Sequence, residues 1–150
     1  MLRSYKKIFS LNFKNCGLQN RCICQGIVNK LHVTNLNREV YDIKDEEDFK
    51  TRVMRSSVPV IVNFHADWCE PCHSLKPLLQ KIVNDNPGKI HLAEILVDDH
   101  ATLLQTFEVT AVPAVLAIHR GSVKDKFIGL VTDKQIKAFV ENLLKDSNST

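Results

Sequence analysis

The spacing of apolar and polar residues changes period several times after residue 39, and each change marks a new element. Val40, Tyr41, Asp42 and Ile43 form a short strand-like run. Asp45 follows as an N-cap, with Glu46, Glu47 and Asp48 in the first turn, where carboxylates favour the positive end of a helix expected to reach about Arg55. Residues 58–64 are almost continuously apolar, as in a strand buried on both faces. From 70 to about 85 the period is helical, with Leu75, Leu78, Leu79, Ile82 and Val83 on one stripe and Pro77 inside it, where it should kink the helix. Asn86, Pro87 and Gly88 make a turn. Residues 90–97 predict a strand, 101–107 a short helix and 114–118 another buried strand. Gly121 turns the chain into 123–128, whose polar alternation suits a sheet edge. Thr132 and Gln135 form a capping box for a last helix in which Ile136, Phe139, Val140, Leu143 and Leu144 keep helical spacing, followed by a polar tail after Lys145.

The order strand, helix, strand, helix, strand, helix, hairpin, helix predicts an α/β domain: a central mixed sheet with helices on both faces. With 44% hydrophobic residues the chain can bury such a core, yet it has no apolar run of about 18 residues, so no membrane span is expected.

The net charge of +3 conceals a split. Residues 1–38 hold seven basic side chains and no acidic one, which leaves 13 of the 20 basic and all 17 acidic residues to 39–150. Within the leader, Leu2, Tyr5, Ile8, Phe9 and Phe13 fall on one side of a helical wheel and Arg3, Lys6, Lys7, Ser10 and Lys14 on the other. No apolar stretch before residue 39 is long enough for a secretory signal. An amphipathic, basic, acid-free segment fits a mitochondrial transit peptide; a disordered basic tail is the plainer reading, and a nucleic-acid-binding arm explains the apolar stripe less well. The expected organisation is a leader at 1–38, one domain at 39–146 and a tail at 147–150.

Five cysteines fall into two groups. Cys16, Cys22 and Cys24 lie in the leader and are read as incidental. Cys69 and Cys72 lie in the folded part, where a lone pair is no disulfide scaffold and points to catalysis or metal binding. They follow a buried strand and open a helix. There, unsatisfied backbone N–H groups stabilise a Cys69 thiolate, and Pro71 loses nothing by lacking its own N–H. Cys72 is about one turn on, so its sulfur can reach the first. Cys69 can then attack a disulfide and Cys72 resolve the mixed disulfide.

Trp68-Cys69-Glu70-Pro71-Cys72 resembles the Trp-Cys-Gly-Pro-Cys motif of thioredoxins, and the resemblance extends over roughly residues 40–145. Val112-Pro113-Ala114 matches the family's cis-proline loop, Pro77 its helix-kinking proline, and Gly129 the glycine ending the last strand beside the substrate groove. Asp98-Asp99-His100, Val115-Leu116-Ala117 and Asp125-Lys126-Phe127 look closest to the mitochondrial branch, in keeping with the leader. The resemblance implies a protein-disulfide reductase with Cys69 as nucleophile and Cys72 as resolving thiol. Trp68, Pro71 and Pro113 would shape the site, and the backbone around Val112 would receive substrate. It further implies electrons from a flavin-dependent thioredoxin reductase, a peroxiredoxin among the clients, the mitochondrial matrix as location and a monomer. No nucleic acid, membrane or bound cofactor is implied, since the sulfurs carry the electrons.

Three residues depart from the family pattern. Asn63 stands where most members have a buried aspartate behind the second cysteine, and Glu94 where most have a lysine near that aspartate. Glu94 is expected either to replace the aspartate as proton acceptor for Cys72 or to be a solvated strand residue. Glu70 replaces glycine between the cysteines, and its charge should make Cys69 somewhat less acidic, with the helix end offsetting part of this.

Three other readings compete. Cys69-Glu70-Pro71-Cys72-His73 fits the haem-attachment pattern, which needs a second axial ligand, and Met54 is the one methionine of the folded part. A zinc site could use Cys69, Cys72 and His65 or His73, while His32, His91, His100 and His119 read as scattered surface or strand residues. A thioredoxin-like binding module with little turnover needs neither cysteine.

Overall fold

The computed structural model describes residues 40–148. The leader, with Cys16, Cys22, Cys24 and His32, lies outside the described residues, as do Ser149 and Thr150 of the expected tail. Five strands, β1 (Val40–Asp42), β2 (Val60–His65), β3 (His91–Leu96), β4 (Ala114–His119) and β5 (Ser122–Ile128), form one sheet in the order β1-β3-β2-β4-β5. β1, β3 and β2 run parallel, whereas β4 is antiparallel to both β2 and β5, so the sheet is mixed as expected. β5 is the outer strand on its side, which explains its polar alternation.

The helices are α1 (Glu46–Phe49), α2 (Glu70–Asn84), α3 (Ala101–Thr106) and α4 (Asp133–Asn148). Asp45 caps α1 by accepting the Asp48 N–H at 2.8 Å. Beyond Phe49 the expected single helix widens into a π-helical turn, Lys50–Met54, in which the Arg55 N–H bonds to the Lys50 carbonyl. α4 starts at the expected box: Gln135 Oε1 accepts the Thr132 N–H at 3.0 Å, and Thr132 Oγ1 accepts the Gln135 N–H at 3.4 Å. It also runs to Asn148, three residues past the end inferred from composition, and Ser147 keeps its hydroxyl occupied on the Leu144 carbonyl there. Among the described residues no helix is long and apolar enough to cross a membrane.

Alternation along the strands divides the core in two. Val60, Val62 and Phe64 of β2, with Leu116 and Ile118 of β4, pack with Phe49, Val53 and Leu103 on one face. Ile61, Leu92, Val115 and Ala117 pack on the other face with Leu75, Leu79 and Val83 of α2 and Ile136, Phe139 and Leu143 of α4. Phase therefore puts Asn63 and Glu94, two residues beyond Ile61 and Leu92, on the face beneath α2. His91 and His119 are strand residues as expected, but both are buried, and so is His100, which bonds to the Ile43 carbonyl at 3.1 Å.

Candidate active site

β2 ends at His65, and four residues later the chain enters α2 through Cys69, whose backbone is extended (φ −94°, ψ 97°) as an N-cap requires. The cap is a sulfur: Cys69 Sγ accepts the Cys72 N–H at 3.2 Å. The Cys69 carbonyl is placed for the same N–H at 3.1 Å and for that of His73 at 3.4 Å, and the Cys69 N–H bonds to the Ala66 carbonyl at 3.2 Å. Glu70 and Pro71 are the first two helical residues, positions where a backbone N–H has no partner in the helix, so Pro71 costs nothing. His73 Nε2 lies 3.0 Å from the Asp67 carbonyl, which can only accept, so Nε2 carries the proton and ties the loop to the helix.

Cys69 and Cys72 are joined by a disulfide, with Cα atoms 5.3 Å apart. Both residues are only 4% exposed, whereas neighbouring Trp68 is 72% exposed. The cysteines are thus reached at an edge beside a large apolar side chain. With Ala66 they form a small buried cluster against which Val97 and Val112 pack. The Val112–Pro113 peptide is cis, as the resemblance implied. The Gly129 N–H donates to the Pro113 carbonyl at 2.7 Å, and Gly129 has φ +88°, a conformation that side chains rarely adopt. Ile128 and Leu130 on either side of it are 45% and 56% exposed. Trp68, Cys69, Cys72, Val112, Pro113 and Gly129, distant in sequence, thus occupy one end of the sheet.

Behind this surface lies a buried polar group. Asn63 is fully buried, and neither its side-chain nitrogen nor its oxygen has a hydrogen-bond partner among the described residues. It pairs in register with Glu94 on β3 and Val115 on β4. Glu94 is 3% exposed, which overturns its reading as a solvated strand residue. Its carboxylate forms an ion pair with Lys76 and accepts from Gln80 Nε2 at 3.3 Å. Lys76 and Gln80 went unread in the sequence. They follow Cys72 at intervals of four residues, so all three share a side of α2. Half-buried His65, at the end of β2, has its pKa lowered mainly by burial, with Glu94 pulling it up and Lys76 pushing it down.

Among the described residues no group of three His, Cys, Asp or Glu side chains is arranged to hold a metal ion. Met54 packs against the core on the opposite face of the sheet from α2, away from the position a haem bound at Cys69 and Cys72 would require.

Comparison with known proteins agrees with this geometry. The family model described as thioredoxin matches residues 40–142. The chain is 43% identical over 114 residues to a mouse (Mus musculus) protein named mitochondrial thioredoxin, covering 76% of this chain and 69% of the relative. It is likewise 43% identical over 113 residues to the Rattus norvegicus protein of that name, covering 75% and 68%. A Caenorhabditis elegans protein named probable thioredoxin-2 is 44% identical over 105 residues, covering 70% of this chain and 72% of the relative.

Proposed function

The chain belongs to the thioredoxin family and is a thiol-disulfide oxidoreductase of the protein-disulfide-reductase type; from that premise we propose how its residues divide the work. Cys69, as a thiolate, attacks one sulfur of a substrate disulfide. The substrate S–S bond breaks, a Cys69–substrate disulfide forms, and the first substrate thiolate leaves and takes up a proton. Cys72, having lost its own proton, then attacks the Cys69 sulfur. The second substrate thiolate leaves and is protonated, and Cys69 and Cys72 end as a disulfide. Two electrons and two protons pass to the substrate.

The observation that carries this reading is the Cys69–Cys72 disulfide at the start of α2, with Cys69 Sγ taking a backbone N–H. A thiolate accepts that bond better than a thiol, so the cap favours the reactive form. Trp68, Val112, Pro113 and Gly129 form the groove for an extended substrate, and Pro71 fixes the first turn. The test is reduction of insulin disulfides by the full chain with a thiol donor. Catalysis that Cys69→Ser abolishes is expected; a rate equal to the donor alone would reject the enzyme in favour of a binding module.

Glu94 accepts the proton of Cys72 in this scheme. Asn63 does not titrate, and Glu94 is the buried carboxylate in register with it, beneath the stripe Cys72, Lys76, Gln80. Rapid mixing of Glu94→Gln with a disulfide substrate should show a slower resolving step near neutral pH, and an unchanged rate would remove Glu94 from the mechanism.

Protein disulfides are the substrates and a reductase is the partner implied by the family. We further assign the finer roles to a thioredoxin reductase as donor, a peroxiredoxin as client, and the mitochondrial matrix as location. The relatives named mitochondrial and the basic, acid-free stretch 1–38 support that location. The leader is then removed as a transit peptide, leaving a monomeric domain that runs through the end of α4 at Asn148 and needs no bound cofactor. Organelle import of a reporter carrying residues 1–38 checks this.

A further inference from the structure

The reactive surface bears two carboxylates without an ion pair among the described residues, Asp67 and Glu70. Glu70 is the first residue of α2, lies between the two bonded cysteines and is exposed. Among the described residues its carboxylate has no ion pair or hydrogen bond. The nearest lysine along α2, Lys76, spends its ammonium on Glu94, and the His73 Nε2–H is spent on the Asp67 carbonyl. Of the other outward side chains there, Trp68, Ile128 and Leu130 are apolar, and Asp67, on the loop before Trp68, is a second exposed carboxylate without an ion pair among the described residues. A client whose disulfide is brought to Cys69 must therefore place its flanking residues on an apolar surface beside two carboxylates, of which Glu70 lies between the bonded cysteines.

We propose that Glu70 is a specificity-determining residue, selecting protein disulfides flanked by lysine or arginine over those flanked by acidic residues. The inference rests on the disulfide-reductase reading and adds a substrate class to it. A basic side chain within several ångströms of Glu70 gains Coulomb energy as the mixed disulfide forms, and an acidic one loses it. The positive end of α2 tempers the carboxylate's field without cancelling it. The excess of acidic over basic residues in 39–150, 17 against 13, favours the same clients at longer range. The discrimination expected is about threefold to tenfold at low ionic strength, shrinking as salt shortens the reach of exposed charges.

The test uses the full chain, reduced beforehand, and two peptides that share one disulfide loop but differ in lysine or glutamate beside the cysteines. Second-order rates are measured for the native protein and for Glu70→Gln and Glu70→Lys, at low salt and near about 1 M salt. Both peptides meet the same Cys69, so any change in thiol acidity cancels in their ratio. The expected result is a ratio favouring the lysine peptide, falling toward one in Glu70→Gln and in high salt, and inverting in Glu70→Lys. A ratio near one in the native protein, or one that Glu70→Gln leaves intact, overturns the inference while the reductase reading stands. Failure to reduce either peptide overturns both.

Discussion

α2 and α4 are similar in length, each packs an apolar face against the same side of the sheet, and each begins with a side-chain cap. Their starts nevertheless differ in kind. α4 is closed by Thr132 and Gln135, which satisfy each other's backbone N–H groups and have no further chemistry. α2 is closed by a sulfur that forms a disulfide one turn on. The lesson is that a helix start becomes a reactive centre when the capping atom can change its charge and its covalent partner. The backbone geometry required is the ordinary one.

Several substitutions break or sharpen this contrast. The largest effect belongs to Cys69→Ser. Serine is a good N-cap, so the fold should persist, while disulfide reduction should fall by about a thousandfold or more in an insulin assay. The bodies of the two helices should respond alike: Leu79→Ala in α2 and Leu143→Ala in α4 remove buried side chains 0% and 1% exposed. Each should cost about 2–5 kcal/mol in urea unfolding. At the other helix start, Thr132→Ala should cost about 1 kcal/mol and leave the insulin rate unchanged, the reverse of the Cys69→Ser pattern. Smaller still, Glu70→Gly should let the Cys69 thiol ionise at lower pH, measured as thiolate absorbance, because a carboxylate beside the sulfur is lost.

Acid should weaken the fold through two histidines. Burial lowers the pKa of His65 first of all, and burial followed by the nearby Arg120 and Lys124 charges lowers that of His119. An unfolded histidine titrates near about 6.5, so below that pH the unfolded chain binds more protons than the folded one. Stability from these residues is complete above that value and is lost as pH falls through the folded ones. Urea midpoints should therefore drop on acidification, and His119→Gln should flatten the drop.

Most of the architecture was legible because period and capping are local. The phase of β2 and β4, the Asp45 cap and the Thr132–Gln135 box each depend on residues within a few positions. The π turn after Phe49 was not legible, since no residue in Lys50–Met54 signals a widened helix. The cysteine pair was legible for the same reason as the caps. The ion pair behind it was not, because Lys76 and Glu94 meet only through the register of α2 over β3. A partial signal existed: Glu94 shares the phase of Leu92 in a strand expected to be buried, which argues against a solvated carboxylate. The packing of Val97 and Val112 on the cysteines likewise needed the fold, since three segments distant in sequence supply that cluster.

The most direct trial of the division between the two sulfurs is to mix reduced Cys72→Ser with a protein disulfide and weigh the products. One client molecule should become covalently attached through Cys69 and stay attached, because the resolving thiol is gone. If Cys72→Ser releases its client as fast as the native chain, or if Cys69→Ser captures one instead, the assignment of nucleophile and resolving thiol is contradicted.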